Sequence, residues 1–112
     1  MNYAKAHIAT KMLVVTLLLT SCTAANDAAD AVARDRAKTV VNGIVSDRFP
    51  GVNSAPITDC IIDAASAGEI ISIASATVTG VDQSTVNQVL EIAQRPEAVN
   101  CIAENSITLL GI

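Results

Sequence analysis

Between Asp27 and Asp47 the apolar residues Val32, Ala33, Ala37, Val40, Val41, Ile44 and Val45 recur at spacings of three and four. That periodicity lays them along one stripe of a helix. Asp27 and Asp30 fall near its start, where the helix dipole favours negative charge. Arg34, Asp35, Arg36, Lys38 and Asp47 fall mainly off the stripe and read as a solvated face. In Arg48-Phe49-Pro50-Gly51, Pro50 pushes the residue before it out of helical geometry and Gly51 permits a turn, so the helix ends there. Residues 52–56 read as a loop. Phe49, the one phenylalanine of the chain, is expected to plug the base of the core.

Thr58 is a candidate N-cap for a short second helix from Asp59 to Ala65. Ser66-Ala67-Gly68-Glu69 has the form of a capping box and opens a third helix reaching about Thr77, with Ile70, Ile73, Ala74 and Thr77 on one face. The β-branched run from Ile70 to Val78 also suits a strand; the box and the three-four spacing favour a helix. After a break at Thr79-Gly80-Val81, Asp82 caps a fourth helix, Gln83 to Gln94, facing inward with Val86, Val89, Leu90 and Ala93. Arg95-Pro96-Glu97 starts a fifth, with Pro96 at its first position and Val99, Ile102 and Ala103 inward around Cys101. Ser106 to Ile112 carries Ile107, Leu109, Leu110 and Ile112 and no charge. It is expected to turn back after Asn105 and cover Phe49 and Val45, the alternative being a dock for a partner. The pattern predicts an all-α fold, a compact bundle of four to five helices.

The N-terminal pattern is of a different kind. Lys5 and Lys11 precede an apolar run from Met12 to Leu19, followed by Thr20-Ser21-Cys22. A positive stretch, a short apolar segment and small residues make a secretory signal. The run is shorter than the roughly 20 residues a membrane span needs. Leu19-Thr20-Ser21-Cys22 looks like a bacterial lipobox, which implies cleavage before Cys22 and acylation of that residue, with palmitate-type chains as the membrane anchor. The alternative is an ordinary secretory signal cut near Thr23-Ala24-Ala25. The expected division is a lipoprotein signal peptide over 1–21, a lipidated Cys and tether over 22–31, and one helical domain over 32–112. Thr23, rather than Asp, after the Cys points to the outer membrane over the inner one.

This division changes the charge and the cysteine count. From Cys22 to Ile112 the chain has 91 residues, five of them basic and eleven acidic, a net charge of −6. Such a balance argues against nucleic acid, whose phosphates need a basic face, and against electrostatic adhesion to anionic lipid. With Cys22 acylated, Cys60 and Cys101 remain as an even pair in an oxidising compartment. A bridge between them is expected; two separate buried thiols are the alternative.

Candidate chemistry is sparse. The one histidine, His7, lies in the predicted signal, which removes imidazole catalysis and His metal ligands from the mature part. No phosphate-cradling glycine motif occurs. Asp59 and Asp63, four residues apart, are the best carboxylate pair for acid–base or cation chemistry, but a first-turn acid such as Asp59 also serves the helix dipole. Arg48 and Arg95 stand at helix ends, placed to cap last-turn carbonyls or to pair with surface acids. No catalytic residue, metal site or cofactor is predicted.

Arg48-Phe49-Pro50-Gly51-Val52, Thr58-Asp59-Cys60-Ile61-Ile62-Asp63, Ser66-Ala67-Gly68-Glu69-Ile70 and Arg95-Pro96 with Cys101 resemble a family of small uncharacterised bacterial envelope lipoproteins. The similarity would cover most of the chain after Cys22. Some members carry a succinate dehydrogenase label, but this sequence has no flavin or dinucleotide fingerprint, no iron–sulfur cysteine set and no membrane helix for haem. The resemblance implies a location and no mechanism. Together these readings lead to the expectation of a non-enzymatic, lipid-anchored periplasmic module with an envelope protein partner. The alternative is a bundle that binds a small ligand or lipid in a cavity near Phe49, Ile62, Ile73 and Leu90. For so short a chain a filled core is the expected outcome.

Overall fold

The computed structural model describes residues 28–109, with side chains to Ile107. Residues 28–48 are helical (α1). They are followed by α2 (Ser54–Ala64), α3 (Ala67–Thr79), α4 (Gln83–Ala93), α5 (Pro96–Glu104) and the single turn α6 (Ser106–Leu109). No strand occurs among the described residues, and no helix there is long and apolar enough to cross a membrane. The predicted signal, the lipobox, Leu110 and Ile112 lie outside the described residues. Two units divide the chain, Met1–Ala31 and Val32–Ile112; of the first, residues 28–31 are described as helical and exposed.

Within the second unit, the stripe of α1 buries Ala37, Val40, Val41, Ile44 and Val45 against Ile61 and Ile62 of α2, Ile70 and Ile73 of α3, and Val89 and Ile92 of α4. Val32, assigned to the stripe by spacing, is 51% exposed. The α2 helix packs against α4, α5 and α6, and α4 also against α3 and α5. Cys60 on α2 and Cys101 on α5 form a disulfide with a Cα–Cα distance of 5.6 Å.

The second helix starts earlier than its pattern predicts. Pro56 reads as the end of a loop, yet it occupies the first turn of α2, where the backbone N–H that proline lacks has no intrahelical partner in any case. Thr58 is therefore not an N-cap. It is buried, and its hydroxyl donates to Oδ1 of Asn42 at 3.2 Å. Ser54, one turn before it, donates to the same oxygen at 2.8 Å. One amide oxygen on α1 thus takes both hydroxyls and fixes the rotation of α2 about its own axis.

Three further corrections concern faces. On α5 Val99 is 49% exposed and Ala103 is also exposed, while Ala98 is fully buried. The bridge at Cys101 turns the Ala98–Cys101–Asn105 face toward α2, and the small Ala98 allows close approach. On α4 the deepest positions are Val89 and Ile92, both 0% exposed; Leu90 is half-buried. On α3, Ala76 rather than Thr77 is buried. The helix ends at Gly80, whose φ of +92° disfavours any residue with a Cβ. Ile107 is 69% exposed, so this side chain of the apolar tail does not cover the core.

The capping box at Ser66 is present: Glu69 N–H donates to Ser66 Oγ at 3.3 Å, and Ser66 N–H donates to Glu69 Oε1 at 2.9 Å. Glu69 also receives both guanidinium nitrogens of Arg95, at 2.8 and 2.7 Å, and Arg95 Nη1 donates to the carbonyl of Ala64 as well. One arginine thereby ties the end of α2, the start of α3 and the start of α5 together. The Arg95 hydrogen bonds, with the Ser66 amide, hold the Glu69 carboxyl at about 2, below its ordinary 4.5. A carboxyl depressed on folding stabilises the protein above its unfolded value, and that contribution is lost as pH falls from about 4.5 toward about 2. Glu69→Gln is expected to lower stability at pH 7 and to flatten the acid limb. Thermal melts at pH 7, 5, 4 and 3 check both effects, and parallel curves for the two proteins would contradict them.

Candidate functional site

The end of α1 sets up the most distinctive feature of the surface. Phe49 N–H donates to the carbonyl of Val45 at 2.9 Å, and Val52 N–H donates to the carbonyl of Phe49 at 3.3 Å. Gly51, at φ +89°, takes the left-handed conformation that reverses the chain. This turn places Phe49 at the edge of the core. It is 50% exposed, so it is not the expected plug. Beside it opens a cavity of about 540 Å³.

The floor of the cavity is the outer surface of the core: Ile44 and Val45 of α1, Ile61 of α2 and Val89 of α4, all buried. Phe49, Val52 and Ile57 form the wall contributed by the turn and α2; Leu90 and Ala93 of α4 and Ile102 of α5 form the remainder. Among the described residues, the polar ones lining the cavity are Arg48, Gln94 and Ser106. They supply a cation, an amide and a hydroxyl, with no carboxylate, imidazole or thiol among them. The volume lies within the roughly 300–1,000 Å³ of small-molecule sites, and the mostly apolar lining with a few polar groups is of the same kind.

The cavity has a physical origin in composition. The chain has no Trp and one Phe, and that Phe sits at the rim. The aliphatic side chains that line the space from α1, α2 and α4, from Ile61 down to Ala93, leave it open. The expected position near Phe49 and Leu90 is where the cavity lies, but Ile62 and Ile73 are in the filled core and do not line it. Arg48 is the lining residue whose place sequence reasoning missed. It is exposed, and among the described residues it makes no ion pair and no side-chain hydrogen bond.

The other candidates do not converge. Asp59 lies 3.3 Å from Lys38 Nζ, with both side chains largely exposed, and Asp63 is exposed. No group of three or more His, Cys, Asp or Glu among the described residues is placed to hold a metal ion. Arg95 is committed to Glu69 and Ala64, with Glu91 at 3.7 Å. Asp82 accepts from Thr85 N–H at 2.9 Å as the N-cap of α4, and that bond lowers its pKa. Cys22 is outside the described residues.

Fold and cavity together define a small disulfide-linked helical bundle with an apolar cleft on one side. Comparison with known proteins adds nothing to this class: no family model, no curated protein and no solved structure matches the chain.

Proposed function

We propose that this protein is a lipid-anchored envelope module that binds an apolar ligand and performs no chemistry on it. The observation that carries the binding part is the 540 Å³ cavity between α1, α2, α4 and α5. Its lining supports binding over catalysis. An apolar surface with a guanidinium, an amide and a hydroxyl can desolvate and hold a ligand, but the described lining residues include no acid–base pair or activated nucleophile. The lipobox Leu19-Thr20-Ser21-Cys22 and the apolar run before it support acylation of Cys22 and a position facing the periplasm, at the outer membrane. An envelope protein partner fits the same address. Nucleic acid is not a partner in this reading, since the acidic balance opposes it.

Two measurements test the proposal. The purified protein should bind one equivalent of the uncharged fluorophore N-phenylnaphthylamine, and Ala93→Phe, which fills the cleft from α4, should abolish the signal without lowering the melting temperature. Absence of probe binding, or turnover of an envelope substrate, would overturn the binding module. In cells, labelled palmitate should enter the wild type, and Cys22→Ala should lose both label and membrane sedimentation. A Cys22→Ala protein that sediments like an unlabelled wild type would remove the anchor.

A further inference from the structure

We infer that the ligand of this cavity is a long-chain fatty acid, its chain laid across the apolar floor and its carboxylate held by Arg48. The inference rests on the binding reading above and adds the chemistry of the ligand. Three observations carry it. The first is volume. At about 540 Å³ the cavity falls within the roughly 300–1,000 Å³ of small-molecule sites, a size that suits one acyl chain. The second is shape and lining: the cavity is open to the side of the bundle, and its lining is mostly aliphatic, with Phe49 and Leu90 among the lining residues. That surface offers a flexible chain dispersion contact and little hydrogen bonding, so it gives no advantage to sugars or peptides.

The third is charge. The chain from Cys22 onward has a net charge of −6, and that background opposes the approach of anions. Yet among the described residues the cation lining the apolar cavity is Arg48, and it has no carboxylate partner among them. Arg95, by contrast, is fully engaged with Glu69 and a backbone carbonyl. A planar guanidinium binds a carboxylate through two parallel hydrogen bonds. Gln94 and Ser106, which line the same cavity, offer further donors. An acyl chain with a single anionic head matches this pairing of a long apolar surface with a cation that has no carboxylate partner among the described residues.

Displacement of bound N-phenylnaphthylamine at pH 7.5 separates the components. Palmitate should displace the probe at least tenfold more effectively than hexadecanol, which has the same chain and no charge. Arg48→Gln should remove that tenfold difference, read as the ratio of palmitate to hexadecanol displacement on the same variant, and Arg48→Lys should restore part of it. Arg48 is exposed, so these variants should melt with the wild type. Equal displacement by palmitate and hexadecanol, or an Arg48→Gln protein that still prefers palmitate, would overturn the assignment while leaving the binding module intact. Preference for lysophosphatidylglycerol over palmitate would overturn the choice of a carboxylate head. Palmitate binding that appears only after deletion of residues 110–112 would make the chain's own tail the occupant and overturn the inference. Failure of the probe itself to bind would instead remove the reading on which all of this rests.

Discussion

Reduction of the Cys60–Cys101 bridge is expected to lower the melting temperature by about 15–30 °C. The two residues are 41 apart, and the loop they close contains all of α3 and α4. In the chain-entropy model a loop of this length contributes about 4 kcal/mol by restricting the unfolded state. Small domains have roughly 5–15 kcal/mol in total, and each kcal/mol moves the midpoint of a domain this size by about 4–8 °C. The effect should reach the cleft as well. Ile102 lies next to the bridged Cys101 and lines the cavity, and Asn105 Nδ2 donates to the Cys101 carbonyl at 2.8 Å. Once the bridge is open, α5 loses its covalent hold on α2, and probe binding should fall at temperatures where α1 to α4 are still helical. Circular dichroism and probe fluorescence on the same heated sample, with and without reductant, follow the two events. A reduced protein melting within a few degrees of the oxidised one would show that packing alone holds α5.

The bundle was legible in the sequence because its signals are local. Ser66 and Glu69 announce a capping box, Asp82 an N-cap and Pro96 a first helical turn, and each acts within four residues of itself. The α1 stripe was legible for a related reason: a long helix shows its periodicity over several turns. Errors arose where one residue has two local meanings. Pro56 ends a loop or opens a helix, and only the packing of Ser54 and Thr58 onto Asn42, twelve and sixteen residues away, decides between them. Short helices such as α5 have too few apolar positions to fix a face. Val99 and Ala98 compete for the interior, and the disulfide at Cys101, on the same face as Ala98, settles the choice.

The cleft was less legible than the core, for a reason of scale. A filled interior follows from counting apolar residues, whereas a cavity is a small difference between the volume that helices enclose and the volume that side chains occupy. Nothing within a few residues of Phe49 shows that the Gly51 turn will leave it half outside. Arg48 is a similar case. At the end of a helix it reads as a cap, and its place beside an apolar floor follows from α2, α4 and α5 arriving from later in the sequence.

Ile92 and Leu90 offer the clearest separation of stability from binding. Both are aliphatic, on the same helix, two residues apart. Ile92 is 0% exposed, belongs to the core cluster and does not line the cavity. Leu90 is half-buried and forms part of the cavity wall. Truncating Ile92 removes three heavy atoms from a fully packed position, and the remaining void is lined by side chains that relax only partly. Ile92→Ala is therefore expected to cost about 2–5 kcal/mol and to lower the melting temperature by at least about 10 °C. Below that midpoint it should bind the probe with wild-type affinity. Leu90→Ala leaves its gap open to a space that already exists, so its cost should be about 1 kcal/mol, while the lost wall contact should weaken probe binding several-fold. Urea titration and probe titration of the two variants form a crossed pair. If Leu90→Ala proved the more destabilising and Ile92→Ala the weaker binder, the division of α4 into a core face and a cleft face would be reversed.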